Sequence, residues 1–277
     1  MIVDIVRHRE EIIALWHECF GDEHEYIEFF LDCCPNKICF GSFNEDKLVS
    51  MLFLLNGSVR NLSCKYIYAA CTAKKCRNRG IMGQLITSAK EYCTEQNIDA
   101  LFLVPGEESL YSYYSKFGFI AGAKKTVMKI SGKSYGFTVE KCDDISFIAG
   151  KRLELLSDLD CYAFDRETTE YSVKEFLKTG GEIYCSDGED EFLAFVVKND
   201  NIVTVKEILV KKTDIFPKIC GIFEKLGAEN VYIYAPVVYN KKDNGCLCTK
   251  CGMYYPISKV ANTLKENDEF YAGMYLD

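Results

Sequence analysis

A basic, glycine-bearing turn precedes a helical pattern in the first half of the chain. Residues Cys76–Leu85 read CRNRGIMGQL and follow the strand-like run KYIYAAC. Backbone N–H groups at a helix N-terminus, aided by the helix dipole, bind anions. Glycine lets the main chain approach a bulky ligand, and arginine binds phosphate in a bidentate manner. The residues that would supply these properties are Lys74, Lys75, Arg77, Arg79, Gly80 and Gly83. The segment therefore predicts a pyrophosphate-binding turn.

A simpler interpretation of the same segment is a solvated turn beside a helix start, and the segment alone does not choose between the two. Other phosphate-binding motifs fit less well. The sequence here lacks the Gly-Lys-Ser/Thr of a P-loop, and it lacks the G-x-G-x-x-G of a dinucleotide-binding turn.

Strands and helices alternate around this turn. Hydrophobic periodicity predicts helices over residues 9–20 and from Tyr26 to Leu31, followed by the hairpin strands ICFGSF and LVSMLFLL. KYIYAAC is the third strand. A helix from Ile81 to near Asn97 leads to the apolar strand Ala100–Val104, a short helix over about 107–117, and one or two strands in GFIAGAKKTVMKI.

A second cycle of elements begins near residue 141, after the linker-like SGKSYG. Helices are predicted over Ile145–Asp158 and Glu167–Lys178, followed by the strands EIYCS, FLAFVVK and VTVKEILV. A helix over Thr213–Leu226 then leads to the strand NVYIYAPVV. The repeated order predicts an α/β (α+β) protein with two domains, residues 1–131 and 141–277.

Composition restricts the classes of function. The 277 residues carry a formal net charge of −8, which argues against a broad nucleic-acid-binding surface. No run approaches the roughly 18 apolar residues of a membrane span. The N-terminal MIVDIVRHREEII has charges where a signal peptide has its apolar core. The fifteen cysteines are scattered and odd in number, as expected of reduced thiols. We expect a cytoplasmic protein with no nucleic-acid or membrane partner.

Two segments carry a resemblance to a known family. CRNRGIMGQLI resembles the acyl-CoA signature of the GNAT acetyltransferases, Arg/Gln-x-x-Gly-x-Gly/Ala, aligned on 77–82. SLYSYYSKFGF is similar to a second signature, in which Tyr114 lies four residues before Gly118-Phe119. One departure is Met82 at the last glycine/alanine position, where a longer side chain could crowd the phosphate. The resemblance covers roughly residues 1–130 and is closest to the branch that carries two GNAT-like domains in one chain.

The resemblance implies a mixed central sheet flanked by helices, and acetyl-CoA as co-substrate. The end of the third strand would splay from its neighbour, so that Ala70, Cys71 and Thr72 offer backbone groups to the pantetheine arm. Tyr114 would protonate the leaving thiolate, although a core aromatic on an amphipathic helix is an alternative for this residue. The residues whose backbone amides would hold the pyrophosphate are Arg77, Asn78, Arg79, Gly80, Ile81, Met82 and Gly83.

The general base is not evident. Many family members place a glutamate on the strand before the turn, but here that strand reads YIYAA. Glu107 and Glu108 are substitutes, although acidic residues at this position would also complement a helix N-terminus. A water relay, or an acceptor amine of low pKa, remains open. The three histidines, His8, His17 and His24, are interpreted as surface or core residues.

The second domain lacks the corresponding signature. Its segment KKTDIFPKICGIF has no glycine where the turn should open and carries Pro217. We interpret it as a degenerate GNAT-like domain that could line the substrate cleft or mediate a homodimer. Cys246, Cys248 and Cys251 form C-x-C-x-x-C, but zinc usually takes four ligands, so no metal is expected.

The predicted activity is N-acetyl transfer from acetyl-CoA to a small-molecule or peptide amine by direct attack. The alternatives are a non-catalytic acyl-CoA-binding or regulatory protein and, less favoured, a zinc-stabilised interaction module.

Overall fold

The chain folds into two units, each built from two separate stretches of sequence. The computed structural model describes residues 2–60, 62–131, 139–186, 191–200, 202–211, 230–239, 247–264, 270–274 and 276. The first unit comprises Met1–Ala121 and Gly252–Asp268, and the second comprises Gly122–Cys251 and Glu269–Asp277. The sequence-based boundaries, 1–131 and 141–277, are both contiguous, so they differ from these units.

The N-terminal stretch of the first unit follows the predicted order of elements. Helix α1 buries Ile12, Ile13, Leu15 and Trp16. It is terminated by Gly21, which follows its last residue in a left-handed conformation with φ of 80°. The four residues of β5 are all buried, as its apolar sequence predicts. The elements are β1 (Ile2–Val3), α1 (Arg9–Phe20), α2 (His24–Cys33), β2 (Ile38–Asn44), β3 (Lys47–Val59), β4 (Leu62–Thr72), α3 (Ile81–Glu95), β5 (Ala100–Leu103) and α4 (Glu108–Ser115).

The sheet of the first unit opens where β4 ends. Strands β1 to β4 pair antiparallel in sequence order, and β4 pairs parallel with β5. The β4–β5 register extends from Cys64 opposite Ala100 to Ile67 opposite Leu103, whereas β4 continues to Thr72. Ala69 has φ of 46° at a bulge where the β3–β4 register shifts. The last residues of β4 therefore have no partner in β5, while Cys71 and Thr72 still pair with Met51 and Ser50 of β3.

The second unit contains six strands that neighbour one another in sequence of pairing, and the chain enters it within β6. The strand order is β6-β12-β11-β10-β9-β7, and only the β11–β12 pair is parallel among these. The elements up to β12 are β6 (Ile120–Ser131), β7 (Glu140–Lys141), α5 (Ile145–Leu156), β8 (Cys161–Phe164), α6 (Arg166–Lys178), β9 (Glu182–Ser186), β10 (Phe192–Asn199), β11 (Ile202–Val210) and β12 (Asn230–Ala235). The predicted helix Thr213–Leu226 lies outside the described residues.

The C-terminal stretch contributes a strand to each unit. Strand β13 (Leu247–Pro256) pairs antiparallel with β5, with Met253 opposite Leu103 and Pro256 opposite Ala100. Strand β14 (Phe270–Ala272) pairs in parallel with β6 and β8 in the second unit. Residues 252–268 belong to the first unit because this part of β13 extends its sheet.

Side chains and backbone groups anchor β13 in the first unit. The Tyr255 ring lies 5.6 Å from the Phe119 ring, and the Lys90 ammonium lies 3.7 Å from the centre of the Tyr255 ring. The Asp99 carbonyl accepts hydrogen bonds from the backbone N–H groups of Ile257 and Ser258 at 2.8 and 3.0 Å. Pairing with β5, side-chain contacts of Tyr255 and backbone hydrogen bonds to Asp99 therefore all hold β13 in the first unit.

A buried ion pair ties the C-terminal residues to the second unit. Arg152 Nε and Nη2 donate to the two carboxylate oxygens of Glu207 at 2.6 and 3.1 Å, and both side chains are almost completely buried. Glu207 Oε1 also accepts from the Tyr271 hydroxyl and from the backbone N–H of Met274, at 3.0 and 3.1 Å. The carboxylate thus connects α5, β11 and the segment that contains β14.

Among the described residues, no helix has both the length and the apolar character needed to cross a membrane.

Candidate active site

The turn between β4 and α3 (residues 73–80, the β4–α3 turn) leaves the start of α3 open. Gly80 precedes the first helical residue in a left-handed conformation, φ 77°, and its position provides no side-chain cap for the helix N-terminus. Asn78 is also left-handed, with φ of 61°. A Cβ atom placed on Gly80 would meet no atom within 4 Å. No side chain at position 80 therefore caps the first backbone N–H groups of α3. The space beside the Gly80 Cα atom is also empty.

The β4–α3 turn borders a cleft of about 1280 Å³ in the first unit. The end of β4, the start of α3, helix α4 and the end of α1 form its walls. All the predicted cofactor-binding residues except Arg79, which is exposed, line the cleft. Tyr114 lines it as well, so the two signature segments meet at one cavity. Those lining residues are Ala70, Cys71, Thr72, Arg77, Asn78, Gly80, Ile81, Met82 and Gly83.

Backbone groups at the end of β4 are partly used within the protein. The Cys71 carbonyl accepts from the Ser50 hydroxyl at 2.9 Å, and the Thr72 carbonyl accepts from Arg77 Nε at 3.0 Å. The Thr72 carbonyl also accepts from the Cys19 thiol at 3.5 Å, so both of its lone pairs have partners within the protein. The Arg77 contact also connects the β4–α3 turn to Thr72, the last residue of β4.

Tyr114 is a buried phenol at the edge of the cleft. Its ring lies 5.3 Å from that of Tyr113 and 5.9 Å from that of Phe119, both at steep angles. Burial, with smaller contributions from the neighbouring Tyr113 and Cys71, raises the pKa of Tyr114 to about 12. The phenol therefore remains protonated at neutral pH and can act as a hydrogen-bond donor.

Met82 and Gly83, two of the predicted pyrophosphate-binding residues, also pack against hydrophobic side chains of the first unit. A Cβ atom on Gly83 would lie 2.9 and 3.1 Å from two ring carbons of Phe117. Met82 is half-buried and packs against the hydrophobic core of the first unit while lining the cleft. Gly83 therefore allows α3 to approach the Phe117 ring closely, which is a packing requirement.

The carboxylates near the cleft are exposed. Glu107 lines it, and its Oε1 accepts a hydrogen bond from the Ser109 hydroxyl at 2.6 Å. Glu91 on α3 also lines it. Glu108, the first residue of α4, is exposed and is not one of the described residues that form the walls. The three histidines are not wall residues either.

Several wall residues were not predicted from the sequence. Gln84, Thr87, Ser88 and Glu91 follow the turn along one face of α3. Their spacing of three and four residues is the signal that could have identified them. Cys19 and Phe20 come from α1, more than fifty positions before the turn, and no local pattern indicates that approach.

The cysteine-rich segment near the C-terminus is partly described. Cys246 lies outside the described residues, Cys248 is exposed, and Cys251 is buried on β13. Burial raises the pKa of Cys251 to about 12. Among the described residues, no group of three or more His, Cys, Asp or Glu side chains is arranged to hold a metal ion.

Comparison with known proteins identifies the domain that contains the cleft. Residues 7–121 match the family model described as the acetyltransferase (GNAT) domain. The chain therefore carries a GNAT domain. The matched range includes every residue that lines the cleft, and it confirms the resemblance carried by the two signature segments. The match indicates acyl transfer as the general class of reaction for this domain. Among curated proteins, none matches the chain by sequence.

Solved structures extend the similarity of fold over nearly the whole chain. A probable N-acyltransferase from Enterococcus faecalis V583 has a TM-score of 0.73 at 13% identity, covering 91% of this chain and 70% of its own. A GCN5-related N-acetyltransferase from Kribbella flavida has a TM-score of 0.71 at 13% identity, covering 94% and 72%. A tandem GNAT protein from the clavulanic acid biosynthesis pathway has a TM-score of 0.55 at 11% identity, covering 93% and 98%. The predicted mixed α/β GNAT fold is confirmed.

Proposed function

We propose that the protein is a cytoplasmic N-acetyltransferase that transfers an acetyl group from acetyl-CoA to a primary amine by direct attack. The observation that supports this most is the shared cleft, in which the glycine-bearing start of α3 and the Tyr114 phenol lie on the same cavity of a GNAT domain. The acceptor class in this proposal is a small-molecule or peptide amine.

The residues of the cleft suit the parts of acetyl-CoA. The pyrophosphate would bind the N–H groups at the start of α3, where Gly80 presents no Cβ to the ligand. The pantetheine arm would run along Ala70, Cys71 and Thr72, beyond the point where β4 leaves β5. The thioester would then lie near Tyr114. No metal is part of this proposal.

In the proposed reaction the amine nitrogen bonds to the thioester carbon and the carbon–sulfur bond breaks. A phenol with a pKa of about 12 is a weaker acid than a thiol, whose ordinary pKa is about 8.5. Complete proton transfer from Tyr114 to a free thiolate is therefore uphill. Tyr114 would act mainly by donating a hydrogen bond to the sulfur as its negative charge develops. Glu107 is a better placed base than Glu108, because only Glu107 lines the cleft.

Kinetics of two tyrosine variants test the proposal. Tyr114→Phe keeps the ring and removes the donor, so we expect kcat to fall roughly 10²-fold while the acetyl-CoA dissociation constant stays within a few-fold. Tyr113→Phe is the matched control, because Tyr113 lines the same cleft on the same helix. Unchanged turnover in Tyr114→Phe would remove this residue from the mechanism, and a loss in Tyr113→Phe instead would move the role to the neighbour.

A second candidate function is acyl-CoA binding without catalysis. It is favoured by the exposed position of the carboxylates at the cleft and by the absence of a carboxylate on the β4 segment YIYAA. Both candidates bind the cofactor, so titration does not separate them. Single-turnover acetyl transfer to a panel of polyamines, aminoglycosides and peptide amines does. Tight acetyl-CoA binding with no acetylated product would favour the second candidate.

A further inference from the structure

Two cysteine thiols meet in the wall of the cleft. Cys19 lies near the end of α1, and Cys71 lies near the end of β4. The Cys19 thiol donates a hydrogen bond at 3.5 Å to the carbonyl oxygen of Thr72, the residue after Cys71, and the two thiols influence each other's ionisation. Both residues line the cleft. The two thiols are therefore neighbours in one wall of the cleft, although they lie fifty-two positions apart in sequence.

The surroundings give the two thiols opposite character. The neighbouring Cys71 thiol and, to a smaller extent, Arg77 outweigh burial and the nearby Glu18, so that the pKa of Cys19 is lowered to about 7. The Cys19 thiol, together with burial, raises the pKa of Cys71 well above its ordinary value. At neutral pH Cys19 therefore has more thiolate character than an ordinary cysteine, and Cys71 is a thiol.

Exposure distinguishes Cys19 from the buried cysteines of the first unit. Cys19 is half-buried in the wall of an open cleft, so a small reagent can reach it. Cys39, Cys64 and Cys93 are buried, and burial raises the pKa of each thiol. A reactive cysteine is one that combines thiolate character with access, and Cys19 has both.

We propose that Cys19 and Cys71 form an oxidisable dithiol, a modification site at which a hydroperoxide converts the two thiols into a disulfide. The Cys19 thiolate attacks one peroxide oxygen, the O–O bond breaks, and the other oxygen leaves as hydroxide or alkoxide and takes up a proton. Cys19 becomes a sulfenic acid. The Cys71 sulfur then attacks the Cys19 sulfur, the S–S bond forms, and the departing hydroxide takes the Cys71 proton to give water. A thiol reductant reverses the reaction by exchange.

Peptide mapping after oxidation tests the site directly. The reduced full-length protein is treated with hydrogen peroxide, its free thiols are blocked with iodoacetamide, and its disulfide-linked peptides are identified by mass spectrometry. We expect a Cys19–Cys71 link that is absent in Cys19→Ser and that persists in Cys76→Ser, the matched control from the same cleft wall. In Cys71→Ser the sulfenic acid on Cys19 should persist and react with dimedone. Cys19 that stays reduced, or that links only to Cys76, would overturn the proposal.

The pH dependence of alkylation gives a second readout that needs no variant. A pKa near 7 supplies roughly fifteen times more thiolate at pH 7 than the ordinary value of about 8.5. The lower intrinsic nucleophilicity of such a thiolate reduces this to about a three-fold faster reaction. We expect the Cys19 alkylation rate to level off above about pH 7. A rate that keeps rising through pH 9 would contradict the contact with Cys71 and Arg77. Neither experiment involves acetyl-CoA, so its outcome is independent of the proposed acetyl transfer.

Discussion

Replacing Gly83 with alanine tests whether this glycine serves packing or phosphate binding. The new Cβ would lie 2.9 and 3.1 Å from ring carbons of Phe117, closer than side chains normally approach. Overpacking of this kind costs about 1–3 kcal/mol, and the better helix propensity of alanine returns up to about 1 kcal/mol. Because Phe117 is half-buried and can shift, we expect a net loss of about 1 kcal/mol in the free energy of unfolding.

A double-mutant cycle with Phe117 isolates the steric contribution. Chemical denaturation of Gly83→Ala, Phe117→Leu and the double variant gives the coupling free energy between the two positions. We expect the double variant to be at least about 1 kcal/mol more stable than the sum of the single changes predicts, since the smaller side chain removes the clash. Additivity within about 0.5 kcal/mol would refute the packing role.

Gly80→Ala is the matched control for the cycle. Its Cβ would meet no neighbour, but its left-handed backbone costs a non-glycine residue about 1–2 kcal/mol. We therefore expect destabilisation without coupling to Phe117. Gly80→Val should weaken acetyl-CoA binding as well, because its side chain would enter the space beside the α3 N-terminus. A normal dissociation constant in Gly80→Val would argue against the proposed pyrophosphate position.

Three further predictions concern stability and are checked by denaturation. Glu207→Gln leaves the buried Arg152 without a counter-charge and should cost about 3–5 kcal/mol, and an Arg152→Met/Glu207→Leu double variant should recover most of it. Tyr255→Ala removes the β13 ring beneath Lys90 and should cost about 2–3 kcal/mol, somewhat less than a fully buried aromatic; no loss would contradict the strand's role. Burial opposes ionisation of the Asp99 carboxyl group, but hydrogen bonds from Ser258 and Ser63 outweigh it and lower the pKa. The contribution of the Asp99 carboxylate to the free energy of unfolding is therefore complete above about pH 3.9 and falls on acidification. Asp99→Asn should remove this pH dependence of the free energy of unfolding. An unchanged pH profile in the variant would contradict the role of Asp99.

Local sequence signals predicted the part of the site that depends on consecutive residues. The helix over 9–20, the four buried residues of β5 and the glycine before α3 each follow from periodicity, hydrophobicity or backbone freedom within a few residues. The same signals could not give the role of Gly83, because its constraint comes from Phe117 on another element. The contact between Cys19 and Cys71 was inaccessible for the same reason.

The predicted domain boundaries differ from the observed units because strand signals identify a strand without identifying its partner. GMYYPI has the composition of a strand, and it does form one, but its partner β5 lies about 150 positions earlier. A four-residue strand buried at every position needs neighbours on both edges to pair its backbone groups. β4 supplies one neighbour from the N-terminal stretch, and β13 supplies the other. Tyr114 and the β4–α3 turn are positioned by elements that pack on this sheet. The structural unit that supports the two signatures therefore contains more of the chain than the N-terminal segment in which they occur. Residues 252–268 therefore belong to the structural description of the first unit, even though they carry none of its proposed chemistry.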